Sequence, residues 1–130
     1  MKKIRVLIAI IGLDQHEVGA IAVSRALMDA GIEVVYAGRF NLPPMIVNTA
    51  VQENVDVIGL SCGSWEYLYY VPELIELLKA NGLATPVIVG GPIITMSDVK
   101  TLQEKGVAAV FGPWATMEEI IVTVKELGAS

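Results

Sequence analysis

IRVLIAIIGLDQHEVGA, residues Ile4 to Ala20, decides the fold. Its first half, Ile4 to Ile11, is an almost unbroken apolar run rich in β-branched residues. Such a run suits a central parallel strand covered on both faces. Glycine and polar residues interrupt it from Gly12 to Glu17. From Val18 to Ala30 the pattern becomes helical, with Val18, Ile21, Ala22, Ala26 and Leu27 expected on the core side, and Gly31 stops it. Strand, polar loop and helix in that order form half of a parallel crossover unit.

The rest of the chain repeats the alternation. Glu33 to Ala37 reads as a second strand. Pro43 or Pro44 opens a second helix that runs to about Glu53. Val55 to Leu60 is a third strand. A third helix ends near Ala80, with Pro72 expected in its first turn and Tyr67 to Tyr70 as a lead-in. Val87 to Val89 is a fourth strand, broken by Gly90-Gly91. Ser97 is the expected cap of a fourth helix, with Asp98 in its first turn. Ala108 to Phe111 is a fifth strand. Thr116 and Glu119 have capping-box spacing at the start of a last helix, whose Met117, Ile120, Ile121, Val124 and Leu127 share one face. This alternation predicts an α/β fold: a five-stranded, doubly wound, flavodoxin-like (Rossmann-like) parallel sheet of strand order 2-1-3-4-5. Residues 1–130 are expected to form one domain. In such a sheet ligands bind beyond the carboxyl ends of the strands, at the switch between the first and third. Gly12–Gly19 and Ser61–Glu66 are therefore the loops to inspect.

Composition narrows the function. The net charge is −5 and no stripe of Lys and Arg is present, which argues against nucleic acid. One cysteine, Cys62, allows neither an internal disulfide nor a multi-cysteine zinc site, and reads as a small buried hydrophobe. The apolar start is too short to span a membrane and lacks a small-residue cleavage site, so a cytoplasmic protein without a membrane partner is expected.

His16 is the only histidine. It falls at the expected ligand edge, two residues after Asp14. A carboxylate that accepts one ring N–H fixes the tautomer and makes the other nitrogen a better metal ligand. One histidine cannot hold zinc alone. A metal bound by His16 must bring its other ligands with it, as in a macrocycle.

Asp14-x-His16-x-x-Gly19 resembles the D-x-H-x-x-G signature of cobalamin-binding domains. Ser61 follows where that family has S-x-L, and Gly90-Gly91 where it has G-G. Each motif alone is weak, but three in order on three predicted loops are strong. GLDQHEVGA, ALMDAGIEVVYAG and VDVIGLS are most similar to the small subunits or carboxyl-terminal domains of acyl-CoA mutases, the methylmalonyl-CoA mutase type. The resemblance implies that His16 replaces the cofactor's own benzimidazole beneath cobalt. It also implies that Asp14 tunes His16 and that Gly19 admits the displaced nucleotide tail. Ser61 would offer that tail a hydroxyl, and Gly90 and Gly91 would leave it room. Gln15, Gly63 and Trp114 join the implied cofactor-binding set.

Departures cluster near the expected tail pocket. Gly63 stands for the family's leucine. Trp65 and Trp114 stand where small residues are common, and Pro92 follows the glycine pair. Three readings follow: an indole that fills or stacks within a reshaped pocket, tryptophans that obstruct the tail, or tryptophans that anchor a partner.

By resemblance, the leading expectation is the cobalamin-binding small subunit of an adenosylcobalamin-dependent mutase. Such enzymes rearrange carbon skeletons by radical chemistry. A separate large TIM-barrel subunit would bind the acyl-CoA, and this chain would supply no proton-transfer residue. A methyl-transfer corrinoid protein ranks second, because a helical module usually precedes the corrinoid fold there. A cobalamin carrier or sensor is the non-enzymatic alternative. A receiver domain would need an acidic cluster after the first strand and an aspartate where Ser61 stands.

Overall fold

The structure, a computed structural model, describes residues 3–12 and 16–129. Ten elements alternate along them: β1 (Arg5–Ile11), α1 (Val18–Asp29), β2 (Glu33–Asn41), α2 (Pro43–Glu53), β3 (Val57–Ser61), α3 (Tyr67–Ala80), β4 (Val87–Gly90), α4 (Met96–Glu104), β5 (Ala109–Phe111) and α5 (Met117–Gly128). The strands form one parallel sheet in the order β2-β1-β3-β4-β5, as the alternation predicts.

Side chains alternate across a strand, so each strand feeds two cores. Leu7, Ala9, Ile11, Ile58, Leu60, Val87 and Val89 point to the face covered by α2, α3 and α4. Cys62 joins that core, as expected of a small buried hydrophobe. Val6, Ile8, Ile10, Val57 and Ile88 point to the face covered by α1 and α5. At the amino end of the sheet, Arg5 ties three elements together. Its main-chain N–H donates to Asp56 Oδ2 (2.9 Å), and its guanidinium reaches the Glu53 carbonyl (2.6 Å) and Glu33 (3.1 Å).

Several expected boundaries move for identifiable reasons. β2 does not stop at Ala37; it passes Gly38 and runs to Asn41, with register shifts against β1. Gly38 and Phe40 have φ of 71° and 64°, so the glycine marks an irregularity within the strand, not its end. β3 spans Val57–Ser61 instead of Val55–Leu60. α3 starts at Tyr67, and Pro72 lies inside it beyond the first turn. The missing N–H of Pro72 would have bonded the carbonyl of Leu68, a residue on the exposed side. Thr95, not Ser97, caps α4. Asp98 N–H donates to Thr95 Oγ1 and the Asp98 carboxylate accepts from Thr95 N–H, a reciprocal pair that Ser97 could not complete with Asp98. Thr116 caps α5 as expected, accepting from Glu119 N–H (3.2 Å).

The core face of α1 also differs from expectation. Ala20, Ser24 and Leu27 are buried, whereas Val18 (84 % exposed) and Ile21 face outward. The helix turns its smallest residues to the sheet at the end where the sheet itself carries small residues.

Candidate functional site

Two rows of residues cross the sheet on the α1/α5 face near its carboxyl edge. The inner row pairs Ile8 with Gly59, Gly59 with Ile88, and Ile88 with Ala109. The outer row pairs Ile10 with Ser61, Ser61 with Gly90, and Gly90 with Phe111. Three of the central positions, Gly59, Ser61 and Gly90, hold small side chains or none. Opposite them stand Gly19 and Ala20 of the first turn of α1. A cavity of about 240 Å³ results, floored by Ile8 and Ile88 and walled by Phe111, Pro113 and Ile120. Ser61 is the only lining side chain with a hydrogen-bonding group among the described residues. Such a space suits a flat, mostly apolar group with one polar contact.

Two main-chain hydrogen bonds tie the strand ends together beside the cavity. Cys62 N–H donates to the Gly90 carbonyl (2.8 Å), and Gly91 N–H donates to the Phe111 carbonyl (3.1 Å). The two adjacent glycines have different roles. A Cβ on Gly90 would meet only ordinary contacts, 3.6 Å from the Phe111 carbonyl oxygen and 3.7 Å from the Phe111 Cβ. A Cβ on Gly91 would lie 1.8 Å from the Cys62 carbonyl oxygen. Gly91 therefore permits a close main-chain approach as well as lining the cavity.

The expected site residues divide into three groups. Gly19, Ser61, Gly90 and Gly91 meet around the cavity. His16 is exposed in the segment leading to α1, three residues before Gly19. Gly63 lies half-buried in the loop after β3, and neither it nor Trp114 belongs to the lining. Asp14 and Gln15 lie outside the described residues. Among the described residues no three His, Cys, Asp or Glu side chains gather into a metal-binding group.

The tryptophans do not fill the cavity. Trp65 is 72 % exposed on the loop before α3, and the half-exposed Trp114 lies over Gly112, where a Cβ would stand 2.2 Å from its ring. Neither indole belongs to the lining of the cavity. The aromatic stretch before and within α3 is mixed. Tyr67 is buried and donates to Asp98 (2.5 Å), whereas Trp65 and Tyr69 are exposed. Burial, then the Asp98 carboxylate, raises the Tyr67 hydroxyl above its ordinary range. The Tyr67 hydroxyl in turn holds the Asp98 carboxyl below its ordinary range, and Thr95 adds to the effect against partial desolvation.

The loop motifs of the sequence do not point to Gly59, Phe111, Pro113 or Ile120, which also line the cavity. The signal for Gly59 was available: a glycine inside an otherwise β-branched strand marks missing packing or a close approach. Phe111 and Ile120 read as ordinary core.

The chain matches the model of the B12 binding domain over residues 4–122. It is 41 % identical over 127 residues to a pivalyl-CoA mutase small subunit of Xanthobacter autotrophicus, covering 98 % of this chain and 85 % of that one. It is 37 % identical over 127 residues to a 2-hydroxyisobutanoyl-CoA mutase small subunit of Aquincola tertiaricarbonis, covering 98 % and 93 %. Among solved structures, a cobalamin-binding protein from Desulfitobacterium hafniense superposes with a TM-score of 0.84 at 22 % identity, covering 97 % of this chain and 60 % of that one, a likeness of fold.

Proposed function

Because the chain belongs to the B12-binding domain family, we propose that it is the cofactor-holding small subunit of an acyl-CoA mutase, an isomerase active only with a large subunit. The large subunit would be a TIM barrel that binds the acyl-CoA. The cofactor would be adenosylcobalamin, which when bound supplies a weak cobalt–carbon bond as a source of radicals.

The cavity between the sheet and the α1/α5 pair is the observation that carries this reading. It fits the group in three respects. It is apolar apart from Ser61, its central strand positions Gly59, Ser61 and Gly90 carry small side chains or none, and it adjoins the start of α1 just after His16. His16 would be the protein ligand to cobalt, oriented by Asp14, with Gln15 beside them. Gly19, Gly90 and Gly91 would admit the nucleotide tail, and Ser61 would donate a hydrogen bond to its base. Gly63 and Trp114 would border the macrocycle. None of these side chains moves a substrate proton. Their work is to bind, to orient, and to keep the tail in a dry slot where its one polar contact is not lost to water.

Titration of the purified chain with cobalamin, followed by visible spectrum and by melting temperature, tests the reading. At a hundredfold excess over Kd, binding should add about 2.7 kcal/mol of apparent stability. Ser61→Ala should weaken binding and leave the unliganded chain as stable as before. A wild-type chain whose spectrum and melting temperature ignore cobalamin, with and without a large mutase subunit present, would overturn the proposal.

A further inference from the structure

The segment bearing His16 is fastened to β2 at both of its described ends. At the near end, Gly12 N–H donates to the Asn41 carbonyl (2.8 Å). The buried Asn41 side chain donates in turn to the carbonyls of Gly38 (2.8 Å) and Ile10 (3.3 Å). At the far end, the Glu17 carboxylate accepts from the Tyr36 hydroxyl at 2.6 Å, and its other oxygen lies 3.6 Å from Arg39 Nε. Glu17 occupies the N-cap position of α1, yet its side chain makes no capping hydrogen bond. The carboxylate is turned sideways to the strand instead.

The shape of β2 explains how two of its residues reach one carboxylate. In a regular strand, residues three apart point to opposite faces. Here the left-handed Gly38 and Phe40 bracket Arg39, and the pairing with β1 shifts twice, between Ile8 and Ala9 and between Ala9 and Ile11. An irregularity of this kind re-aims a side chain. It brings Arg39 to the side on which Tyr36 already stands. A left-handed phenylalanine is a strained conformation, and such strain persists where the surroundings enforce it.

We propose that Tyr36 and Arg39 are positioning residues, which grip Glu17 and thereby hold the neighbouring His16 at the sheet edge in place for the metal. This inference rests on the reading of His16 as a metal ligand. An exposed hydrogen bond and a long ion pair add little to global stability, so the expected effect is on position. Partners that orient a metal ligand typically change metal affinity ten- to a hundredfold when removed.

The test uses the full chain with Tyr36→Phe, Arg39→Gln and His16→Ala. In the cobalamin-free chain, Tyr36→Phe should speed hydrogen exchange at the amide of Ile21, which donates to the Glu17 carbonyl (3.0 Å), while leaving the melting temperature unchanged. In the loaded chain, Tyr36→Phe and Arg39→Gln should each weaken cob(II)alamin binding about tenfold. Both should also lower the fraction of the complex whose paramagnetic spectrum carries a histidine-nitrogen splitting. Unchanged exchange, or wild-type affinity and splitting in both variants, would overturn the grip. If His16→Ala binds cobalamin as the wild type does and no histidine splitting appears, the metal-ligand reading fails and the positioning role falls with it. The exchange experiment, run without cofactor, tells these two failures apart.

Discussion

On the face that packs α2, α3 and α4, successive strands fill the space with Leu7, Ile58, Leu60, Val87 and Val89, against Leu74, Leu78 and Leu102. On the face that packs α1 and α5, the same strands end in Gly59, Ser61 and Gly90. The two sets differ by one step along the chain, because neighbouring residues of a strand point to opposite sides. One face is built for stability. The other keeps a filled floor at Ile8 and Ile88 and stops packing toward its carboxyl edge. The difference teaches that this space is made by omission: at Gly59, Ser61 and Gly90 the central strands carry small side chains or none.

Substitutions can break that contrast. Gly91→Ala should have the largest effect, about 4 kcal/mol or loss of folding, because its Cβ would overlap a main-chain carbonyl that cannot change rotamer. Urea unfolding measures it. Leu74→Ala, on the filled face, should cost about 3 kcal/mol, the usual result of emptying a packed site. Tyr67→Phe should cost about 1 kcal/mol by removing one donor to Asp98.

The Tyr67–Asp98 bond also carries a pH dependence. Asp98 has a folded pKa below its unfolded one, so its contribution is present above about pH 4, the ordinary carboxylate value. It is lost as pH falls through the folded pKa. Acid titration of stability should therefore show a smaller loss below pH ~4 in Tyr67→Phe than in the wild type. Equal losses would show that the bond does not set the Asp98 carboxyl.

Gly90→Ala should have the smallest effect on stability, within about 1 kcal/mol, since its Cβ meets only ordinary contacts and glycine is a poor strand former. The same change should weaken cobalamin binding, because the new methyl group enters the open face. Gly90 and Gly91 thus separate the two properties at adjacent positions. Equal destabilisation by both substitutions would break the comparison.

Much of the fold was legible because apolar runs and glycine or proline stops alternate cleanly from Ile4 to Leu127. The loop motifs were legible for the same reason: each sits where a strand ends. The face of α1 was not legible. Hydropathy favours Val18 and Ile21 over Ala20, but a helix packed beside an unfilled sheet edge turns its small residues inward. Arg39 and Tyr36 were silent because their convergence depends on two left-handed residues, and Phe40 has no sequence signature for that conformation. Asp14 and Gln15, readable in the motif, lie outside the described residues.

On the proposed reading, His16 of this chain, and not the base of the cofactor, would be the ligand to cobalt. Paramagnetic resonance of cob(II)alamin bound to uniformly nitrogen-15-labelled chain tests it most directly. Coordination by His16 predicts that the nitrogen splitting of each cobalt line changes from a triplet to a doublet on labelling, and that it vanishes in His16→Ala. A triplet that persists in the labelled chain would mean that the cofactor's own base holds the metal, and would contradict the account.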